Sequence, residues 1–344
     1  MTATTSAADT SQAQAETKNL TVRQAVNQAL DQALAADPRV FLIGEDLADP
    51  GGGVTQVTAG LSTKHGLDRV LDTPISEAAI AGAAVGAAIE GRIPVAEIMI
   101  MDFIGIAIDQ IVNLAAKARF MSAGRTTCPL VIRTAVFGGA GSGATHSQSL
   151  EGWFMHVPGL KVVVPSTPAD AKGLLTAAIF DPDPVIFVET TALYGQKGPV
   201  PTAVHSVPLG QADVKRTGSD VSIVTYGRGV YDSLAAAETL AGEGIDVEVV
   251  DLRSLVPLDM PTVLASVRKT ARAVVVNYST QFAGPGAEVA AQIGHDLHGD
   301  LAAPVERLGL RFRPIPSERT LEASVYPNPT TIADAVRTTL GARS

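Results

Sequence analysis

The sequence predicts an α/β protein of two domains in series, the first and larger built on a parallel sheet. Three observations predict it. Strand-like apolar runs alternate with helical periodicity twice, on either side of a polar, Pro-rich stretch at 196–219. The 344 residues suit two domains of ordinary size. Hydrophobic residues reach 46% while aromatics stay at 4%, a palette of Ala, Val, Gly and Leu that suits close-packed helices over buried parallel strands.

Residues 1–18 are Ala, Thr, Ser and Gln with a few charges, and lack both a basic start and an apolar run. They read as a disordered tail and not as a signal peptide. The first helix opens at Thr21. Gln24 stands at the capping-box spacing, and Val22, Ala25, Val26, Ala29, Leu30 and Leu34 recur at helical intervals. Strand 39–44 leads into the Gly-rich loop DPGGGV (49–54). Helix 76–90 is rich in Ala and Gly, which permits close helix contact. Strand 93–100 precedes helix 104–120, and strand 130–136 precedes a second Gly-rich loop, 138–143. Strand 160–164, helix 168–180 and strand 185–188 complete a first domain over 19–195. The stretch 196–219 reads as a linker. Strands 221–226, 247–252 and 273–277 then alternate with helices 229–243, 260–269 and 285–298. A last helix near 329–341 closes a smaller domain over 220–344.

The formal net charge of -9 argues against nucleic acid and against anionic membrane surfaces as partners. Cys128 is the single cysteine, so no intramolecular disulfide and no cysteine-rich metal site can form. A reducing cytoplasm fits that usage. No apolar run reaches the ~18 residues a membrane span needs.

Glu77 stands out within DTPISEAAI (72–80). Ile75, Ala78, Ala79 and Ile80 offer it no charge partner nearby in sequence, so desolvation is expected to raise its pKa and fit it for proton transfer near neutrality. The plainer reading is a helix-start glutamate with Ser76 as N-cap. In GGAGSGATHSQS (138–149), Gly139, Gly141 and Ala144 match the dinucleotide pattern G-x-G-x-x-A. The acidic partner expected near residue 160 is missing, since Gly159, Leu160 and Lys161 stand there. A glycine loop that brings backbone close to a ligand stays open. His146 ends that loop and reads either as a proton-transfer group or as a surface histidine. His156 could pair with it, but no third ligand lies at metal spacing. Phe103, at a strand-to-helix turn, could stack on a flat ring or fill the core. Asp109, Gln110 and Asn113 form a polar stripe, solvated or at a subunit contact. In DPDPVIF (181–187), Asp183 and nearby carbonyls could hold a hard cation, or the segment is a Pro-fixed turn.

Several longer stretches resemble one family in its own order. They include DPRVFLIGED (37–46), RVLDTPISEAAIAGAAVGAA (69–88), VAEIMIMDFIGIAIDQIVNLAAKARFMSAG (95–124), HSQSLEGWFMHVPGLKVVVPSTPADAKGLL (146–175) and VEVVDLRSLVPLD (247–259). They resemble the β subunits of thiamine-diphosphate-dependent 2-oxo acid dehydrogenases, which include pyruvate, branched-chain and acetoin dehydrogenase β chains. The resemblance implies a transketolase-like pyrimidine-binding domain followed by a transketolase C-terminal-like domain. It implies that Glu77 protonates the aminopyrimidine of thiamine diphosphate, with Ile75 and Phe103 also against the cofactor. It implies that His146 lies near the reacting carbon and serves proton transfer or acyl passage to lipoamide. Strand 129–134 and the Asp181 to Asp183 turn match a structural potassium site in some relatives.

The family's metal-diphosphate motif begins Gly-Asp-Gly and ends in Asn-Asn, and neither occurs in this sequence. In two-chain members it lies on an α subunit. The resemblance thus implies a heterotetramer of two α and two β chains, in which the α chain holds magnesium and the diphosphate, and a β chain inactive alone. The implied reaction is decarboxylation of a 2-oxo acid, or cleavage of acetoin, with acyl transfer to lipoamide. The rival within the same chemistry is a two-chain carboligase that needs no lipoamide. Asn277, Tyr278 and IPSERTLE (315–322) depart from the family pattern. These departures bear on docking of a lipoyl acyltransferase and not on cofactor chemistry. Outside the family, a nicotinamide dehydrogenase rests on the 139–144 glycines and is opposed by the missing acidic residue. A non-catalytic scaffold is opposed by Glu77 and His146 together.

Overall fold

The structure, a computed structural model, describes residues 16–341. The first fifteen residues of the expected tail lie outside the described residues. Thr17 and Lys18, also assigned to that tail, instead begin a strand. The chain runs β1 (Thr17–Thr21), α1 (Val22–Ala36), β2 (Val40–Glu45), α2 (Leu61–His65), β3 (Val70–Thr73), α3 (Glu77–Ile89) and β4 (Ile93–Ile98). A broken helix over 101–121 ends in α4 (Ala118–Met121), followed by β5 (Val131–Val136), α5 (Glu151–Met155), β6 (Lys161–Val163), α6 (Pro168–Ile179) and β7 (Val185–Thr190). Next come β8 (Lys197–Pro201), β9 (Asp213–Arg216), β10 (Val221–Thr225), α7 (Arg228–Ala241), β11 (Val247–Asp251), β12 (Ser254–Val256) and α8 (Met260–Thr270). The chain closes with β13 (Ala273–Thr280), α9 (Pro285–Asp296), β14 (Glu306–Leu310), α10 (Arg319–Ala323) and α11 (Pro329–Thr339).

The capping box at α1 forms as its spacing predicts. Gln24 N–H donates to Thr21 Oγ1 at 3.1 Å, and Thr21 N–H donates to Gln24 Oε1 at 3.0 Å. The first sheet has the order β12-β6-β7-β5-β4-β2-β3. Every pair in it is parallel except β12 with β6. Its central strands are buried on both faces: α1 and α6 cover one with Leu30, Leu34, Leu174 and Leu175, while α3 and the broken helix cover the other with Ile80, Val85, Met101 and Ile104.

The expected single helix over 104–120 does not form. Met101–Ala107 winds as a 3-10 helix and Gln110–Leu114 as a π turn. The buried residues explain it. Met101, Ile104 and Ala107 repeat every third residue, the 3-10 period, before the spacing widens to Ile111 and Ala115. Core packing selects the tighter winding.

The second sheet has the order β14-β13-β10-β11-β9. α7 and α11 pack on one face through Ala236, Leu240, Ile332 and Val336, and α8 and α9 on the other through Val263, Val267, Val289 and Ile293. The stretch 196–219 is more than a linker. Its β8 pairs with β1 and its β9 with β11, both antiparallel. The two sheets also share a seam: β12 follows β11 in sequence yet forms the edge of the first sheet, with Ser254 opposite Val163. A buried charge network spans the same seam. Lys215 Nζ lies 2.6 Å from Asp170, 2.7 Å from Asp213 and 3.7 Å from Asp251, and Arg253 lies 3.0 Å from Asp170.

Candidate active site

Four groups stand at the carboxyl ends of four adjacent strands. Reading β5, β4, β2 and β3 across the sheet gives His146, Phe103, Glu45 and Glu77 in that order. Open α/β sheets bind ligands outside these strand ends.

Glu77 is the first residue of α3, where the helix dipole favours an anion. Ser76 occupies the N-cap position but makes no capping bond through its side chain. The enclosure expected from apolar sequence neighbours is incomplete in this chain. Glu77 is half-buried, and Ile75 is 74% exposed. Ile75 points its apolar surface outward because nothing among the described residues folds over the turn between β3 and α3. Glu45, at the end of β2, was not singled out from sequence. Burial pushes its carboxyl above the ordinary range, and the charges of Asp46 and Glu77 push it further. Its only sequence signal is an acid closing an otherwise apolar strand.

Phe103 is half-buried in the 3-10 turn after β4, and its ring meets the His146 imidazole edge-on, with centroids 5.2 Å apart and planes at 83°. Beside it, Asp102 accepts from Gln148 Nε2 at 2.8 Å and from the Gln148 N–H at 3.2 Å. The 3-10 turn and the His146 loop are thereby joined. Thr145 Oγ1 lies 3.0 Å from His146 Nδ1.

The loop 138–149 is not a dinucleotide site. No helix opens at Ala144; the next one is α5, at Glu151. The N–H groups of Gly139 and Gly141, which a pyrophosphate would need, donate instead to Glu322 at 2.8 and 2.7 Å. The segment 315–322 was expected to matter only for docking. It lies against this loop, so the second domain reaches the site through a part of the chain that sequence reasoning set aside. Nothing nearer than 181 residues in sequence announces that contact.

The remaining candidates separate from the site. Asp183 forms an ion pair with Arg119 at 2.6 Å, and Asp181 one with Lys161 at 2.6 Å. The Asp183 carboxylate thus meets a cation of the chain itself through one of its oxygens. His156 is exposed at the end of α5. Asn113 Nδ2 donates to Asp109 at 2.6 Å on a solvated face. Among the described residues no group of three or more His, Cys, Asp or Glu is gathered as a metal site.

A buried ion cluster ties β4, β5 and β7 together. Arg133 on β5 lies 2.5 Å from Glu97 on β4 and 2.6 Å from Glu189 on β7, and the Tyr194 hydroxyl donates to Glu189 at 2.9 Å. The surface at the strand ends presents a carboxylate at a helix start, an aromatic ring, an imidazole and the exposed apolar side chains Ile75 and Ile106. That donor set fits a flat, nitrogen-bearing ring; a helix-start carboxylate can hold a proton against a ring nitrogen while apolar groups press on its face.

Residues 18–197 match the transketolase pyrimidine-binding domain, and residues 210–332 match the transketolase C-terminal domain. The chain is 48% identical to the β subunit of acetoin:2,6-dichlorophenolindophenol oxidoreductase of Cupriavidus necator, over 94% of this chain and 98% of that one. It is 46% identical to the mitochondrial pyruvate dehydrogenase E1 component subunit β-2 of Oryza sativa subsp. japonica, over 97% and 89%. The acetoin β subunit of Bacillus subtilis is 42% identical, over 94% and 97%. Among solved structures, a split-gene transketolase described as an inactive β4 tetramer superposes with a TM-score of 0.77 at 22% identity, covering 95% of this chain and 100% of that one. The seven-stranded and five-stranded sheets are thus the two domains of a transketolase-like fold. The chain belongs to the transketolase-like family of β subunits that includes those of the pyruvate dehydrogenase E1 component and of acetoin oxidoreductase.

Proposed function

We propose that this chain is the β subunit of a thiamine-diphosphate-dependent enzyme that decarboxylates a 2-oxo acid or cleaves acetoin and passes the acyl unit to lipoamide. The observation that carries it is the row of His146, Phe103, Glu45 and Glu77 on adjacent strand ends, with Glu77 at the start of α3. Thiamine diphosphate, when bound, supplies the thiazolium that stabilises negative charge next to the cleaved bond. Glu77 holds a proton against the pyrimidine ring nitrogen. Phe103 and Ile75 give that ring apolar surface and exclude water from it. His146, fixed against Phe103, moves a proton at the reacting carbon or guides acyl transfer.

The same geometry calls for a partner. α3 exposes Ala79, Ala83 and Gly86, and Ile75 and Ile106 are exposed beside the site. A helix without a polar face is built to be covered. We assign that cover to an α subunit that brings magnesium and the diphosphate ligands, in an assembly of two α and two β chains. Asp183 being paired with Arg119, a potassium ion at the 181–183 turn would rest on backbone carbonyls. The single, buried cysteine fits a reducing cytoplasm. No helix among the described residues is long and apolar enough to cross a membrane.

The test is co-expression with the candidate α chain, followed by an assay of 2-oxo acids and acetoin with an artificial electron acceptor and then with lipoamide. Turnover that needs both chains and thiamine diphosphate supports the reading. Full turnover by this chain alone refutes it. Product formation by condensation with an acceptor carbonyl, and none with lipoamide, would move the chain to the carboligases.

A further inference from the structure

Glu322 is 1% exposed and lies in the second domain, yet its side-chain hydrogen bonds reach the first. Gly139 N–H donates to its Oε1 at 2.8 Å and Gly141 N–H to its Oε2 at 2.7 Å. Both glycines adopt positive φ, 95° and 79°, which turns their N–H groups toward one anion. The contact is close. A Cβ on Gly141 would lie 3.1 Å from the Ser317 carbonyl oxygen and 3.2 Å from Arg319 Cγ, and one on Gly138 would lie 2.4 Å from the Tyr326 hydroxyl. The loop thus has its back against 315–326. Its far end is held by Asp102 through Gln148. His146 sits between these two anchors.

We propose that Glu322 is a positioning residue: its carboxylate clamps Gly139 and Gly141, fixes the loop 138–149 and so holds His146 against Phe103. This rests on the reading of His146 as a group that acts at the reacting carbon. The physical reason is twofold. A run of glycines has many backbone states to lose, so it needs a partner to select one. The Glu322 carboxylate is itself buried and needs donors, and the two N–H groups serve it with charge-assisted bonds. Glutamine in its place accepts from one N–H and turns its own amide N–H toward the other. Aspartate keeps the charge but falls one methylene short.

The test uses the full chain assembled with its α partner and thiamine diphosphate. Glu322→Gln, Glu322→Asp, His146→Ala and the Glu322→Gln/His146→Ala double variant are compared. Amide hydrogen exchange is read by mass spectrometry on peptides covering 138–149, and kcat and KM are read with lipoamide. For Glu322→Gln, exchange in that segment should rise about tenfold or more while other segments hold. Its kcat should fall by roughly tenfold with KM for the oxo acid within about twofold, and Glu322→Asp should recover part of the loss. The double variant should be no slower than His146→Ala, because the clamp acts through that histidine. Unchanged exchange in Glu322→Gln overturns the clamp. A loss that multiplies in full with His146→Ala overturns its action through His146. A fully active His146→Ala refutes the reading of His146 itself and with it the positioning role, leaving exchange to decide the clamp. Should Glu322→Gln fail to assemble, Gly141→Ala strains the same bond from the loop side and should raise exchange alike; no rise there overturns the clamp.

Discussion

Phe103 and His146 meet as a T-shaped pair with ring centroids 5.2 Å apart and planes at 83°, and the two residues come from segments that follow neighbouring strands. An edge-to-face pair of this kind contributes about 0.5–1.5 kcal/mol beyond its buried area. Phe103→Leu keeps an apolar body and removes the ring. The expected outcome is a loss of up to about tenfold in the step proposed for His146, with assembly intact. Stopped-flow measurement of acyl transfer to lipoamide checks it. An unchanged rate would mean that the contact does not orient the imidazole.

The cluster of Arg133, Glu97 and Glu189 ties together the neighbouring strands β4, β5 and β7. Burial raises the carboxyl of Glu189, and the guanidinium of Arg133 opposes that rise. Removing the cation leaves two buried acids uncompensated. Arg133→Met should destabilise the chain by about 3–5 kcal/mol, and adding Glu97→Gln and Glu189→Gln should restore much of it. Denaturant unfolding of the assembled enzyme, with and without the compensating pair, is the measurement. Equal stability of the single and triple variants would contradict it.

The fold was readable where one short stretch carries its own instructions. Thr21 and Gln24 announce α1, and the apolar runs at 130–136 and 221–226 announce buried strands. Glu77 was readable because a lone acid opens an apolar helix. What sequence left hidden depends on contacts between distant segments. β12 joins the first sheet only because β6 leaves an edge for it. The winding of 101–107 follows from the core above it and not from propensity. Glu322 looks like an ordinary helix residue in ERTLEA until 139–141 folds onto it. Glu45 owes its raised carboxyl first to burial, and then to the charges of Asp46 and of Glu77, an acid at a different strand end.

Asp251 makes stability depend on pH at the seam between the sheets. It is fully buried, accepts from Ser166 Oγ, and lies 3.7 Å from Lys215, while Asp170 and Asp213 take the closer places on that ammonium. Burial pushes its carboxyl up to about 7. A folded-state value above the unfolded one means that the folded chain keeps a proton the unfolded chain has lost. Its contribution is full below about pH 4 and is lost as pH rises toward about 7. Asp251→Asn lacks that dependence. Its melting temperature should fall less than that of the wild type between about pH 5 and about pH 8. Parallel melting curves across that range would show that the aspartate is already ionised in the folded chain.

In the proposed function Glu77 is the residue on which the chemistry turns, and its effect can be separated from assembly. It is half-buried here, and the proposed α subunit, by covering Ile75 and Ile106, would complete its enclosure. Glutamine matches its shape and can still donate or accept a hydrogen bond, but it cannot deliver a proton. Glu77→Gln should therefore assemble with the α chain and bind thiamine diphosphate within about tenfold of wild type, while losing at least about a hundredfold in proton exchange at the thiazolium carbon. Quenched-flow exchange read by proton NMR measures that rate without any substrate turning over. Wild-type exchange in the glutamine variant would remove Glu77 from the proton path. Loss of binding along with exchange would make it a cofactor contact and nothing more.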